Sequence, residues 1–120
     1  MNANEFVGTL FLARDMAHSI HLNTRSYAKH MALNGFYNDI VDAADKFAEM
    51  YQGRHGLIGP IKRVTVSRSS DITTFLQSSM ESLEGARYDV CEKTDTPIQN
   101  VIDEIIGLYL STLYKLRFLA

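Results

Sequence analysis

At 120 residues with 46% apolar and 22% charged side chains, the chain has room for one core and a globular composition, which excludes two ordinary domains and a disordered polymer. A formal charge of −2 gives no global attraction to nucleic acid or to anionic membrane. The lone Cys91 excludes an intrachain disulfide and fits a reducing compartment.

The chain opens on Met1-Asn2-Ala3-Asn4-Glu5, with no positive charge before the first apolar stretch, so no secretory signal is expected. Apolar residues then recur at helical spacing in four segments. The first carries Phe6, Leu10, Ala13, Ala17 and Ile20, with Asn4 as the expected cap, and ends in the polar run Asn23-Thr24-Arg25-Ser26. The second carries Leu33, Phe36, Tyr37, Ile40, Ala44, Phe47 and Tyr51 and is expected to stop at Gly53. From Gly53 to Ser70 the glycines Gly53, Gly56 and Gly59 and Pro60 leave no room for a helix of normal length, though Val64-Thr65-Val66 suits a short extended stretch.

The third segment opens after Ser69-Ser70-Asp71, a helix-capping run, and continues through Ile72, Phe75, Leu76, Met80, Leu83 and Val90. The fourth starts at Thr96-Pro97, where proline suits the first turn. It runs through Ile98, Val101, Ile102, Ile105, Tyr109, Leu113 and Leu116. The region from Ile98 to Leu119 is interrupted by Asn100, Asp103, Glu104, Lys115 and Arg117, so no membrane span is expected and the protein reads as cytoplasmic.

Short polar turns within the first and second pairs of segments favour two antiparallel hairpins, joined by one long connection. The expected fold is therefore all-α: a single domain over residues 1–120, a ferritin-like four-helix bundle whose long crossover lies between the second and third helices. An up-down-up-down bundle with a loose middle loop is the alternative.

Chemistry-bearing side chains concentrate on the first two segments. Asp15, His18 and His21 recur every three residues, and His30, Asn34, Val41, Asp45 and Glu49 form one stripe beside the main apolar stripe. Imidazole and carboxylate together suit iron, zinc and manganese, while a solvated charged face is the plain alternative. Asp15 and His21 are expected to support His18 from behind, fixing its tautomer. No glutamate is followed by histidine three residues later, which argues against a di-iron site inside one bundle. Arg54, Lys62, Arg63 and Arg68, with no acid from Met50 to Ser70, make the connection locally basic: a patch for an acidic partner, or a solvated loop.

The stretch from His18 to Gly56 resembles the Dps mini-ferritins. His18 and His30 have the family's histidine separation, Asp45-Lys46-Phe47-Ala48-Glu49 reproduces its acidic motif, and Tyr27 stands where an aromatic is usual. Asp95-Thr96 and the final Leu113-Tyr114-Lys115-Leu116-Arg117 resemble its last helix. The resemblance implies a homo-oligomer, at least a dimer and in the family a cage, in which His18 and His30 of one chain face Asp45 and Glu49 of its two-fold mate. These four would be the metal ligands and catalytic residues of an Fe(II) ferroxidase, with Zn or Mn as other occupants.

Asn34 stands where the family has a further aspartate, the crossover lacks the family's extra helix, and no Lys or Arg precedes Arg14, so direct DNA binding is not expected. Those departures favour a second reading, a non-enzymatic structural or interaction protein that keeps the bundle without an active site. The sequence also resembles short ferritin-like proteins of bacteriophages, which adds a virion or infection-related role.

Overall fold

The computed structural model describes residues 1–66 and 71–120. Among these the protein is all-α, with four helices and no strand: α1 (Ala3–Asn23), α2 (Tyr27–His55), α3 (Ile72–Val90) and α4 (Thr96–Phe118). Ser69, Ser70 and the Arg68 of the basic run lie outside the described residues. Val64-Thr65-Val66 forms no strand.

Local chemistry sets the helix ends. The α1 cap is Asn2, not Asn4: the Asn2 side chain accepts from the Glu5 amide and Glu5 reaches back to the Asn2 amide, a reciprocal capping box. Ser26 caps α2 through the Lys29 amide. That helix runs past Gly53 and stops at Gly56, whose φ of 91° is a left-handed conformation that glycine adopts without strain. Gly53 sits in open space within the helix, so nothing ends the helix there. Asp71 caps α3 through the amides of Thr73 and Thr74, and the Thr74 hydroxyl bonded to it holds its carboxyl below the ordinary aspartate value.

The helices pack in the cyclic order α1, α2, α4, α3, with α1 opposite α4 and α2 opposite α3. Cross-helix pairs fix the directions. His21 with His30 and Phe6 with Phe47 make α1 and α2 antiparallel; Lys46 with Glu104 and Arg54 with Asp95 do the same for α2 and α4. Arg87 with Asp103 and Gln77 with Arg117 make α3 antiparallel to α4. Neighbours are therefore antiparallel and diagonal pairs parallel, so the α2–α3 connection travels the length of a body measuring 43 × 25 × 21 Å.

Its described part lies along α1. The Asn4 amide donates to the carbonyls of Ile58 (3.0 Å) and Pro60 (2.8 Å), and its oxygen accepts from the Lys62 amide (2.9 Å). Gly8 lets the strand of chain come close: a Cβ there would stand 2.6 Å from the Lys62 carbonyl oxygen and 2.9 Å from Val64 Cγ2.

The core is filled by Phe6, Leu10, Phe36, Ile40, Phe47, Leu76, Ile102 and Tyr109, all essentially inaccessible. Tyr109 is the one large polar member; its hydroxyl bonds the Ser79 hydroxyl at 2.8 Å, and burial pushes its pKa far above the ordinary tyrosine value. Gln99 closes the α3–α4 hairpin. Its amide donates to the carbonyls of Arg87, Cys91 and Glu92 at the free end of α3, and its oxygen accepts from Arg87 Nε at 2.8 Å. Cys91 is buried beside it, and that burial, with the Asp95 charge second, pushes the thiol pKa up, as expected of a packing residue.

Candidate functional site

The outer face of the α1–α2 hairpin carries every candidate ligand. The three-residue turn Thr24-Arg25-Ser26 brings the end of α1 beside the start of α2, and there His21 and His30 stack with ring centroids 3.7 Å apart and planes at 21°. Each ring bonds the other residue's backbone: His21 Nδ1 to the His30 carbonyl at 2.7 Å, and His30 Nδ1 to the His21 carbonyl at 2.9 Å. A carbonyl oxygen only accepts, so both Nδ1 atoms carry the proton and each neutral ring keeps its lone pair on Nε2. That tautomer is the one a metal ligand needs, and orientation by a backbone carbonyl is the usual way of fixing it.

His18 stands one turn before His21, and its ring stacks on Tyr37 at 4.2 Å. The support expected for it differs from what is found. Asp15 pairs with Arg14 at 2.9 Å, and His21 faces His30, 3.7 Å away, with the His18 ring at 6.1 Å. Equal spacing on one helix put Asp15, His18 and His21 on one side, but the partners come from the neighbouring helix and the adjacent residue. Asn34 is also engaged, accepting the Tyr37 hydroxyl at 3.2 Å.

Asp45 and Glu49 lie on the same outward side of α2 as Asn34, exposed and with no hydrogen bond or ion pair among the described residues. They are far from His18, His21 and His30 of their own chain. Fifteen residues of one straight helix separate His30 from Asp45, about 22 Å at 1.5 Å per residue. Accordingly, no group of three His, Cys, Asp or Glu among the described residues is placed to hold a metal within one chain. His21 and His30 do not substitute for such a group. Lone pairs lie in the ring planes, and two near-parallel planes 3.7 Å apart cannot both aim at one ion about 2 Å from each nitrogen. The donor types fit iron, zinc or manganese, but only if a second chain brings the two ends of α2 together.

Sequence reasoning missed the clasps. His21 is a hairpin fastener, Gln99 an end cap for α3, and Asn4 an anchor for the crossover. Only the last had a visible signal: Gly8, a glycine inside a helical pattern, marks close approach of another segment.

The fold and this face define a small all-α protein whose candidate ligands sit on one helical hairpin. The chain belongs to the family of unknown function DUF5856, whose model matches residues 21–116. It is similar to the uncharacterized 14.6 kDa protein of the mobD-ri intergenic region of Enterobacteria phage T4, 29% identical over 116 residues, 95% of this chain and 87% of that protein. No solved structure matches. The family matched is neither a Dps nor a ferritin family, so the Dps resemblance gains nothing from it. Among the described residues no helix is long and apolar enough to cross a membrane.

Proposed function

We propose that the chain is a self-associating bundle protein of ferritin-like topology that binds a divalent metal, iron first, across a two-fold contact between α1–α2 hairpins. The topology is supported by the helix order and by the lengthwise crossover, an arrangement shared with ferritin-like folds. One observation carries the metal reading: the half-buried His30 imidazole, fixed in the ligating tautomer, and the exposed, unpaired carboxylates of Asp45 and Glu49 occupy opposite ends of one side of α2, with His18 beside the His30 end on α1. An antiparallel second copy superimposes those ends, so that His18 and His30 face Asp45 and Glu49 of the mate. Iron held there supplies Fe(II) oxidation chemistry. This chain's part is to supply two nitrogen and two carboxylate donors and to hold His30 by its Nδ1 proton. The phage relative supports placing this role in the infected cell's cytoplasm or in the virion.

A second reading has its own observation. His30 already fastens the hairpin and Asn34 already bonds Tyr37, so both have structural work without a metal. On that reading the protein is a non-enzymatic structural or interaction module. Anaerobic Fe(II) titration, repeated with Zn(II), separates the two. His30→Ala and Asp45→Ala should each lose binding at least tenfold while keeping their helical content. Stoichiometric binding in both variants, or none in the wild type, leaves the structural module.

A further inference from the structure

Two further faces carry opposite charge and lie on opposite sides of the bundle. The crossover rides on α1 and closes a groove against α3 lined by Thr9, Leu12, Val64 and Phe75, so it covers the α1–α3 side. It presents Lys62 and Arg63, both exposed, and neither side chain has an ion pair or hydrogen bond among the described residues. They are held in place, because the Lys62 amide is tied to Asn4 and the Lys62 carbonyl is pressed against Gly8. No acidic residue lies between Met50 and Val66, and Asp15 of α1, which lines a groove together with Lys62 and Arg63, is paired with Arg14.

The α2–α4 side, across the ring of helices, has a groove of about 260 Å³ with Ala43 and Leu108 in its lining. Its rim holds Asp39, Asp42, Lys46 and Glu104. Lys46 is occupied by Glu104 at 3.3 Å, which leaves Asp39 and Asp42 exposed and unpaired among the described residues. The apolar floor suits the methylene stems of lysine and arginine, and the rim suits their charged heads.

We infer that the crossover of one copy docks in the α2–α4 groove of the next, with Lys62 and Arg63 against Asp39 and Asp42. The two surfaces are different, so the contact is heterologous and each copy has one of each free to continue the chain of contacts. It involves neither His18, His30, Asp45 nor Glu49, so it stands apart from the metal reading and can fail without it.

Sedimentation velocity on the full chain tests this, at 50 and 500 mM NaCl over a range of concentrations. The wild type should form species larger than a dimer at low salt, and association should weaken about tenfold or more at high salt because exposed charges are screened. Lys62→Glu/Arg63→Glu should abolish the larger species, and so should Asp39→Lys/Asp42→Lys. An equal mixture of the two variants should recover them, since each then offers the charge the other lacks. Circular dichroism checks that both remain helical, and the wild-type salt dependence stands independently of the variants. The inference is overturned by a wild type that never exceeds a dimer, by a variant that keeps the wild-type distribution, or by a mixture that recovers nothing. A wild type that stays small but binds a DNA duplex through Lys62 and Arg63 overturns it too, assigning the crossover to nucleic acid.

Discussion

Gln99 shows how much one buried polar side chain does in this protein. It is 5% exposed, and its amide donates to the carbonyls of Arg87, Cys91 and Glu92, of which Arg87 also accepts from the Cys91 amide and Glu92 from the Asp95 amide. Gln99→Leu keeps the bulk and removes the donor, which leaves the Cys91 carbonyl with no other partner among the described residues and the other two carbonyls with their backbone bonds alone. The expected cost is about 1–3 kcal/mol. Urea unfolding should show a lower midpoint with an unchanged slope; a loss under about 0.5 kcal/mol would mean that water reaches those carbonyls. The residue scale is also where the sequence was least legible. His21 and His18 share a helical side, which suggested a joint role, yet His21 bonds a backbone carbonyl nine residues on and His18 stacks on an aromatic ring. Backbone carbonyls carry no signature in a sequence, so pairings with them cannot be read there.

At the scale of the element, the helices were legible because their signals are local. Asp71 and Pro97 mark the starts of α3 and α4, and apolar periodicity marks the buried sides. The end of α2 was misplaced by three residues because Gly53, in open space, is tolerated inside the helix, whereas Gly56 takes a left-handed φ. The route of the crossover was not legible. It depends on an Asn4 side chain meeting carbonyls 54 and 56 positions away and on the flat surface at Gly8. Two glycine substitutions therefore have opposite expected signs. Gly107→Ala, with nothing near its Cβ, should stabilise α4 by about 0.5–1 kcal/mol. Gly8→Ala should gain the same helix propensity but lose more, about 1–3 kcal/mol, by pushing the crossover off α1. Thermal unfolding measures both. Limited trypsin digestion should cut faster after Lys62 or Arg63 in the Gly8 variant only; equal stabilisation by both alanines would contradict the close approach.

At the scale of the whole molecule, the surfaces matter more than the core. Three sides of the bundle have distinct character: the hairpin side with its histidines and carboxylates, the crossover side with its cations, and the α2–α4 groove with its free carboxylates. The spacing of His18, His30, Asp45 and Glu49 was visible in the sequence. The Dps resemblance already implied a site shared by two chains; the structure adds that His30 and Asp45 of a single chain stand about 22 Å apart along α2, so that any site they form belongs to two chains.

A mixing experiment tests that claim most directly. The double variants His18→Ala/His30→Ala and Asp45→Ala/Glu49→Ala each form dimers with no complete site, and Fe(II) titration of either alone should show no high-affinity binding. After subunit exchange, half of the dimers at random are mixed and each of those holds one complete site, so binding should return at about a quarter of the wild-type stoichiometry. Recovery at that level would establish a metal site shared between two chains. No recovery, with exchange demonstrated and the wild type binding, would contradict the shared site.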